Sequence, residues 1–460
     1  MRESAAGQPV PLSAGQRAVW LGHQLAPDSA AYNTVVATRV RSRLDVDVLA
    51  RAVTAVGERH ALLRSVFTEV DGRPGRVLGH RPRLDRREVA GVSEAELRDR
   101  ARAVGAAPLR LGDDGPLRVA LLRRGPQDAV LVVVAHHLVA DASSLWLILR
   151  DLLTAYQGLA GGGSPRWPPL SATFDDHVRA EQALLASEAG ARLAAWWQQS
   201  SAGRPATELP TDRPRPPVRS GRGGTAQLRL PAELTTGIRV EAARMRVTPF
   251  GYLLGGLQAL LHRHTGQAEF SIGCPATLRS RPDLREVVGY LINPLVVPAR
   301  FTPATTLGET VTAAQRHLVE AMARARYPCA LLPGPAFRVI MTQVDTDRLE
   351  PPLPMVEAGA TEGPGIDYAG LRLHLYDLPQ QEGQADLAVS VLPHRGSLRL
   401  VVNYDADLFD HDTVDGFTRQ LHRLLETAVA RPDTRVSRVR LQERPDVSAL
   451  LAMGTGRSVG

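Results

Sequence analysis

The 460-residue sequence contains no lysine: all 55 basic residues are arginine. Without an ε-amine there is no pyridoxal-phosphate or substrate Schiff base, no P-loop lysine under a phosphate, and no kinase-type strand lysine. Cysteine is nearly absent as well. Cys274 and Cys329 are too few for a disulfide framework and have no metal-ligand spacing, so a reducing cytoplasm is the expected setting. No charged-then-apolar signal opens the chain, and no uninterrupted apolar run approaches the roughly 18 residues of a membrane span. The Gly-rich dinucleotide fingerprint and the P-loop are also missing. Aromatic residues make up only 5% of the chain. The net charge of +7 is therefore not accompanied by the interleaved aromatics of a nucleic-acid surface. The arginines are dispersed and interrupted by acids, as in Glu96-Leu97-Arg98-Asp99-Arg100, so a solvated surface with a patch for an acidic protein partner is expected.

What remains for chemistry is His, Asp/Glu, Ser and Cys. The length fits about three domains of roughly 150 residues or one two-lobed enzyme. Gly161-Gly162-Gly163-Ser164-Pro165 marks a flexible break, and the proline-rich stretch 209–217 marks a second. Between them, helical spacing over residues 174–197 predicts one long bridging helix. Residues 117–122 and 129–135 read as a hairpin around Gly125-Pro126. A buried helix is expected at 250–262, with strands at 270–273, 295–297, 337–341, 387–392 and 398–404, and a closing amphipathic helix at 414–430. The expected division is an N-terminal lobe 1–172, a bridging segment 173–217, a C-terminal lobe 218–445 and a tail 446–460, in a mixed α/β chain.

The most informative stretch is Val134-Ala135-His136-His137-Leu138-Val139-Ala140-Asp141-Ala142-Ser143-Ser144. A strand runs into two histidines, and Asp141 is placed to cap a helix over 143–156. Consecutive side chains at a strand end point to opposite faces, so one histidine can prop the interior while the other faces a cavity. Two buried histidines satisfied by backbone carbonyls would be the simpler outcome for an isolated pair. Ser143 and Ser144 read as helix-start residues, and no spacing places a Ser-His-Asp triad. His262 and His264 read as a helix end, without the further ligands of a metal site.

The wider sequence resembles the condensation domain of nonribosomal peptide synthetases, within the chloramphenicol-acetyltransferase-like acyltransferase superfamily. The resemblance runs from about Pro11 to about Leu441 in the family's motif order. Leu12-Ser13-Ala14-Gly15-Gln16-Arg17 with Trp20 resembles the opening motif, and Arg59-His60-Ala61-Leu62-Leu63-Arg64-Ser65-Val66-Phe67 the second. His136-His137-Leu138-Val139-Ala140-Asp141 matches the HHxxxD core. Further on, Leu209-Pro210-Thr211-Asp212-Arg213-Pro214 is similar to the inter-lobe segment, Val288-Gly289-Tyr290-Leu291-Ile292-Asn293-Pro294-Leu295 to the fifth motif, and Tyr404-Asp405-Ala406-Asp407-Leu408-Phe409 to a late signature. Two departures stand out: Ala142 replaces the usual glycine after the Asp, which suits a first helical turn but not a positive φ, and Arg324-Ala325-Arg326-Tyr327-Pro328 replaces a common His-Gln before proline.

The resemblance implies a V-shaped pseudo-dimer of two chloramphenicol-acetyltransferase-like lobes with a central tunnel. It implies a condensation enzyme that transfers an aminoacyl or acyl thioester, delivered on the phosphopantetheine arm of a carrier protein, to an amine or alcohol held by a second carrier or supplied as a small molecule. By matching position, His137 faces the tunnel, His136 is its structural neighbour, Asp141 forms an ion pair with Arg64, and Asn293 approaches the substrate from the other lobe. No tightly bound cofactor or metal is implied, and base catalysis and nucleophile positioning by His137 both remain open. A recruitment domain of the same fold and an epimerisation-type relative are the alternatives, and both histidines and the Asp speak for the enzyme. Heterocyclisation is disfavoured because that branch replaces the first histidine with aspartate. With the resemblance ending near Leu441, a free-standing condensation enzyme is the simplest expectation, and a domain excised from a longer synthetase would look the same.

Overall fold

The computed structural model describes residues 10–70, 72–334, 337–343, 365–378, 384–394 and 396–442. Two open, mixed six-stranded sheets organise them, and neither closes into a barrel.

In the first sheet the strand Asp128–His136 is central. Its apolar run is continuous because both faces are covered: Leu131, Val133 and Ala135 enter one core with Leu49, Val53 and Leu149, while Val130, Val132 and Val134 enter a second with Leu97, Ala101 and Val104. The strand pairs with Leu117–Gly125 as the expected hairpin and, on its other side, antiparallel with Asn33–Val40, which sets Asn33 opposite His136. Leu84–Glu88 completes that edge.

The opposite edge was not legible in the sequence. Strands Ile366–Tyr368 and Leu371–Leu375, far along the chain, extend the first sheet through Leu373 opposite Val40. Leu284, Val287, Val288 and Leu291 likewise enter the first lobe's core. A division of the chain at residue 217 therefore separates strands that are hydrogen-bonded to one another.

The second sheet runs in the order Ile292–Arg300, Glu269–Thr277, Val339–Gln343, Leu387–His394, Ser397–Asp405, Gly223–Leu230. One face packs against the helices Pro249–Thr265, Leu307–Met322 and His411–Ala430 through Leu257, Leu260, Val311, Leu421 and Leu424. The other face is left for the interior space between the lobes.

The expected single bridging helix is two, Phe174–Leu185 and Glu188–Ser201. Ser187 ends the first by donating from its hydroxyl to the Leu184 carbonyl at 2.7 Å and caps the second by accepting from Gly190 N–H at 3.2 Å. A side chain at Gly190 would put Cβ 2.1 Å from the Leu184 carbonyl oxygen, so the tight turn requires glycine. The tail 446–460 lies outside the described residues.

Candidate active site

The two motif histidines sit where the central strand of the first sheet ends. His136 closes that strand, and the loop folds back at once through Val139 N–H to the His136 carbonyl at 2.9 Å. The His136 Nδ1 accepts from Leu138 N–H at 3.2 Å, and its ring meets His23 edge-on with centroids 5.2 Å apart. Burial, with His23 and His137 adjacent, holds His136 neutral, well below the ordinary imidazole range. Gln16 locks the loop from outside by donating to the Leu138 carbonyl at 2.9 Å, and is itself fixed by a reciprocal capping box with Ser13.

His137 points the other way. Its backbone N–H donates to the Tyr32 carbonyl at 2.7 Å, and its Nδ1 lies 2.7 Å from the Ala140 carbonyl. A carbonyl can only accept, which assigns the ring proton to Nδ1 and leaves the Nε2 lone pair available. Nε2 has no hydrogen-bond partner among the described residues. The ring is 7% exposed and forms part of the wall of a cavity of about 2560 Å³ between the two lobes. The Tyr290 ring packs edge-on at 5.1 Å. Burial lowers the His137 pKa, against the opposing pull of the Ala140 carbonyl and Asp141, so the neutral form predominates near pH 7.

Asp141 caps the helix Ala142–Ala160 as expected, accepting from Ser144 N–H at 2.8 Å. Ala142 is the first residue of that helix and is not among the residues with positive φ, so alanine is accommodated there. The expected ion pair with Arg64 does not form. Asp141 pairs with Arg279 and also accepts from Leu291 N–H at 3.1 Å. The Arg279 guanidinium donates further to Ser144 Oγ at 2.6 Å and to the Val287 carbonyl at 3.0 Å, and Ser144 Oγ exchanges two hydrogen bonds with Gly289. Asp141 is thereby kept ionised despite full burial. Arg64 ends a short 3-10 turn, Ala61–Arg64, and its stem packs toward Gly57 of the helix Val46–Arg59, with Nε buried and without a hydrogen-bond partner among the described residues. The turn directs its stem to that helix. Arg279 had no signal in the sequence: it lies 138 positions from Asp141, in the arginine-rich stretch Leu278-Arg279-Ser280-Arg281.

Asn293 also differs from expectation. It sits on the strand Ile292–Arg300 between Ile292 and Pro294, both of which line the cavity, and alternation turns it to the opposite face. There it donates to the Ala325 and Tyr327 carbonyls at 2.8 and 2.6 Å and accepts from Cys329 N–H at 2.9 Å. Its amide is used in holding residues 325–329, which overlap the Arg324–Pro328 stretch noted above. Cys274 lines the cavity, and Cys329 is buried in the same lobe core. Burial raises both thiols, Cys329 to about 12, which removes them as nucleophiles. His262 bonds the Gln267 carbonyl and His264 bonds Gln420, and no cluster of three or more potential metal ligands occurs among the described residues. No helix among them is long and apolar enough to cross a membrane.

Against known proteins, residues 7–451 match the family model described as a condensation domain. The chain is 29% identical over 460 residues to phosphinothricin tripeptide synthetase PhsC of Streptomyces viridochromogenes, covering 96% of this chain and 41% of that protein. It thus spans well under half of that relative's length. Among solved structures, the X-domain from teicoplanin biosynthesis superposes with a TM-score of 0.84 at 26% identity, over 95% of this chain and 99% of that one. The first condensation domain of the calcium-dependent antibiotic synthetase, solved with a substrate analogue, gives 0.75 at 21% identity over 95% and 100%, a likeness of fold.

Proposed function

The chain belongs to the condensation-domain family, and from that premise we propose that it is an acyltransferase that joins a carrier-bound aminoacyl or acyl thioester to an amine or alcohol. The observation that carries this reading is the state of His137: the proton is fixed on Nδ1 by the Ala140 carbonyl, and Nε2 is open to the cavity. In the reaction the acceptor's nitrogen or oxygen attacks the thioester carbonyl. The proton lost from the nucleophile passes to Nε2, directly or after Nε2 has oriented the attacking group. The tetrahedral adduct then expels the thiol of the phosphopantetheine arm, which takes up a proton. His136 props the loop, and Asp141 with Arg279 keeps the loop and the segment 287–291 in register, so these three are positioning residues.

The cavity supports a two-substrate reaction. Its volume of about 2560 Å³ exceeds the roughly 300–1,000 Å³ that accommodates a single drug-sized ligand. Holding both reactants in it converts a bimolecular encounter into a local one. The relatives are nonribosomal peptide synthetases, and carrier proteins bearing phosphopantetheine arms are the corresponding partners for this chain.

A second reading has one observation in its favour, the close superposition on the teicoplanin X-domain, a protein also solved in complex with OxyB. On that reading this chain would recruit a partner without chemistry. The retained histidine geometry favours the enzyme. The test is mass spectrometry of products from loaded carriers offered amine and alcohol acceptors. Condensation by the native protein, lowered by about 10² or more in His137→Ala, is expected, whereas equal product from both proteins, or none from either, removes the proposed role.

A further inference from the structure

The described residues include three arginines that are almost fully buried: Arg39, Arg76 and Arg399. Two are neutralised in the usual way. Arg39 spans Asp128 with two hydrogen bonds at 2.8 and 3.0 Å and reaches Glu94 at 2.7 Å, and Arg76 pairs with Asp175 and Ser65. Among the described residues, Arg399, only 4% exposed, makes no ion pair, and its Nε and Nη1 have no hydrogen-bond partner. A buried guanidinium left in this state is costly and calls for an anion.

Its position says where that anion would come from. Along the strand Ser397–Asp405, Leu400, Val402 and Tyr404 pack into the lobe core while Arg399, Val401 and Asn403 form cavity wall. On the same wall, in register, Asn403 lies opposite Thr225 and Ala388, Val401 opposite Gln227 and Ser390, and Ser390 opposite Thr342. This wall is polar where a sheet face inside a protein would ordinarily be apolar, and Arg399 is its cation. Arg98, Arg102 and Asp377 line the same cavity. Arg98 is engaged, with its Nη1 on the Asp377 carbonyl at 2.8 Å and its guanidinium over the Tyr376 ring. Asp377 is the acid close enough to feel all three arginines, yet burial still raises its carboxyl.

We propose that Arg399 recognises a carboxylate on the substrate held in the cavity, which makes an acidic acyl or acceptor group the preferred substrate class. The inference rests on the cavity being the condensation chamber proposed above. The planar guanidinium offers a bidentate match to a carboxylate, and the Thr, Ser, Gln and Asn side chains of the wall surround the rest of a polar group. The phosphodiester of a phosphopantetheine arm shares the oxyanion chemistry and is the alternative source. Because that group is tethered at a carrier's surface, a guanidinium as deeply buried as that of Arg399 favours the substrate carboxylate.

The test separates binding from catalysis. Calorimetry on the full chain would compare N-acetylglutamate, N-acetylglutamine and 4′-phosphopantetheine, with native protein, Arg399→Gln and Arg399→Lys. The native protein should prefer the carboxylate over the amide by about tenfold or more; the preference should vanish in R399Q and survive in part in R399K. Because an unpaired buried charge is removed, R399Q should melt no lower than the native protein. Equal affinities in the native protein, a preference unchanged in R399Q, dependence on Arg399 for phosphopantetheine alone, or a lowered melting temperature would each overturn the assignment. A parallel condensation assay with glutamyl and glutaminyl substrates reports separately on the acyltransfer reading. If neither substrate condenses, that reading fails while the binding result still stands on its own.

Discussion

His136 and His137 are joined by one peptide bond yet do opposite things, because a strand end alternates its side chains. His136 turns into a nest of His23, Tyr32 and backbone, and His137 turns out to the cavity. The lowered pKa of His137 has a kinetic consequence. If Nε2 must hold a lone pair, kcat/KM with an acceptor that does not itself titrate should stay level from about pH 8 down to the ordinary imidazole value of about 6.5 and fall only below it; an acid limb centred above that value would contradict the assignment. Asp141 and Arg279 form a different kind of pair. With one partner lost, the other is a buried, uncompensated charge, so Asp141→Asn or Arg279→Gln should each cost about 3–5 kcal/mol in urea unfolding. The double variant should recover part of that loss, and simple additivity would show that the two do not act as a pair.

At the scale of elements, Asn293 shows how a one-residue alternation decides a role. Its neighbours face the cavity, and it ties down residues 325–329 from behind. Asn293→Ala should therefore leave three backbone groups without partners and destabilise the protein by about 1–3 kcal/mol. Hydrogen exchange should quicken around Cys329, while the environment of His137 stays unchanged. A loss of condensation without a change in exchange there would return Asn293 to a role at the substrate. The strong periodic elements of this chain were legible from sequence, as with the hairpin at Gly125-Pro126 and the helix capped by Asp141, because local pattern and capping chemistry agree there. The break at Ser187 was not, since the helical spacing of apolar residues continues across it; Ser187 makes the turn by capping, and Gly190 permits the close approach to Leu184.

At the scale of the whole molecule, many of the histidines are buried or half-buried and held toward the neutral form. Burial lowers the pKa of His23, His60, His136, His137, His177, His264 and His317, and that of His177 to about 4. A group whose folded pKa lies below its unfolded value binds its proton more readily in the unfolded chain. Stability is therefore unaffected by these groups above the unfolded value of about 6.5 and declines as the pH falls through it toward the folded values. Urea midpoints should drop steadily on acidification from neutral pH, well before the carboxylates titrate, and a flat profile over that range would contradict the buried-neutral assignment. The charge of +7 belongs to this scale too. If a basic face captures acidic carriers, their association rate should fall as salt is raised, and a rate independent of ionic strength would exclude that role.

What the sequence determined by itself is set by covalent order and local geometry: the absence of lysine chemistry, the strand that delivers two histidines to one turn, the Asp141 cap and the ordered motifs that identify the family. These depend on neighbours within a few residues, or on matching a known pattern. The tertiary structure decided which arginine meets Asp141, that Asn293 faces away from the cavity, that strands from residues 366–375 complete the first lobe's sheet, and that Arg399 stands on the cavity wall without an ion-pair partner among the described residues. Each of these is a meeting of groups remote in sequence. A chain of arginines offers many equivalent cations for one buried carboxylate, and only packing in three dimensions selects which of them is within reach.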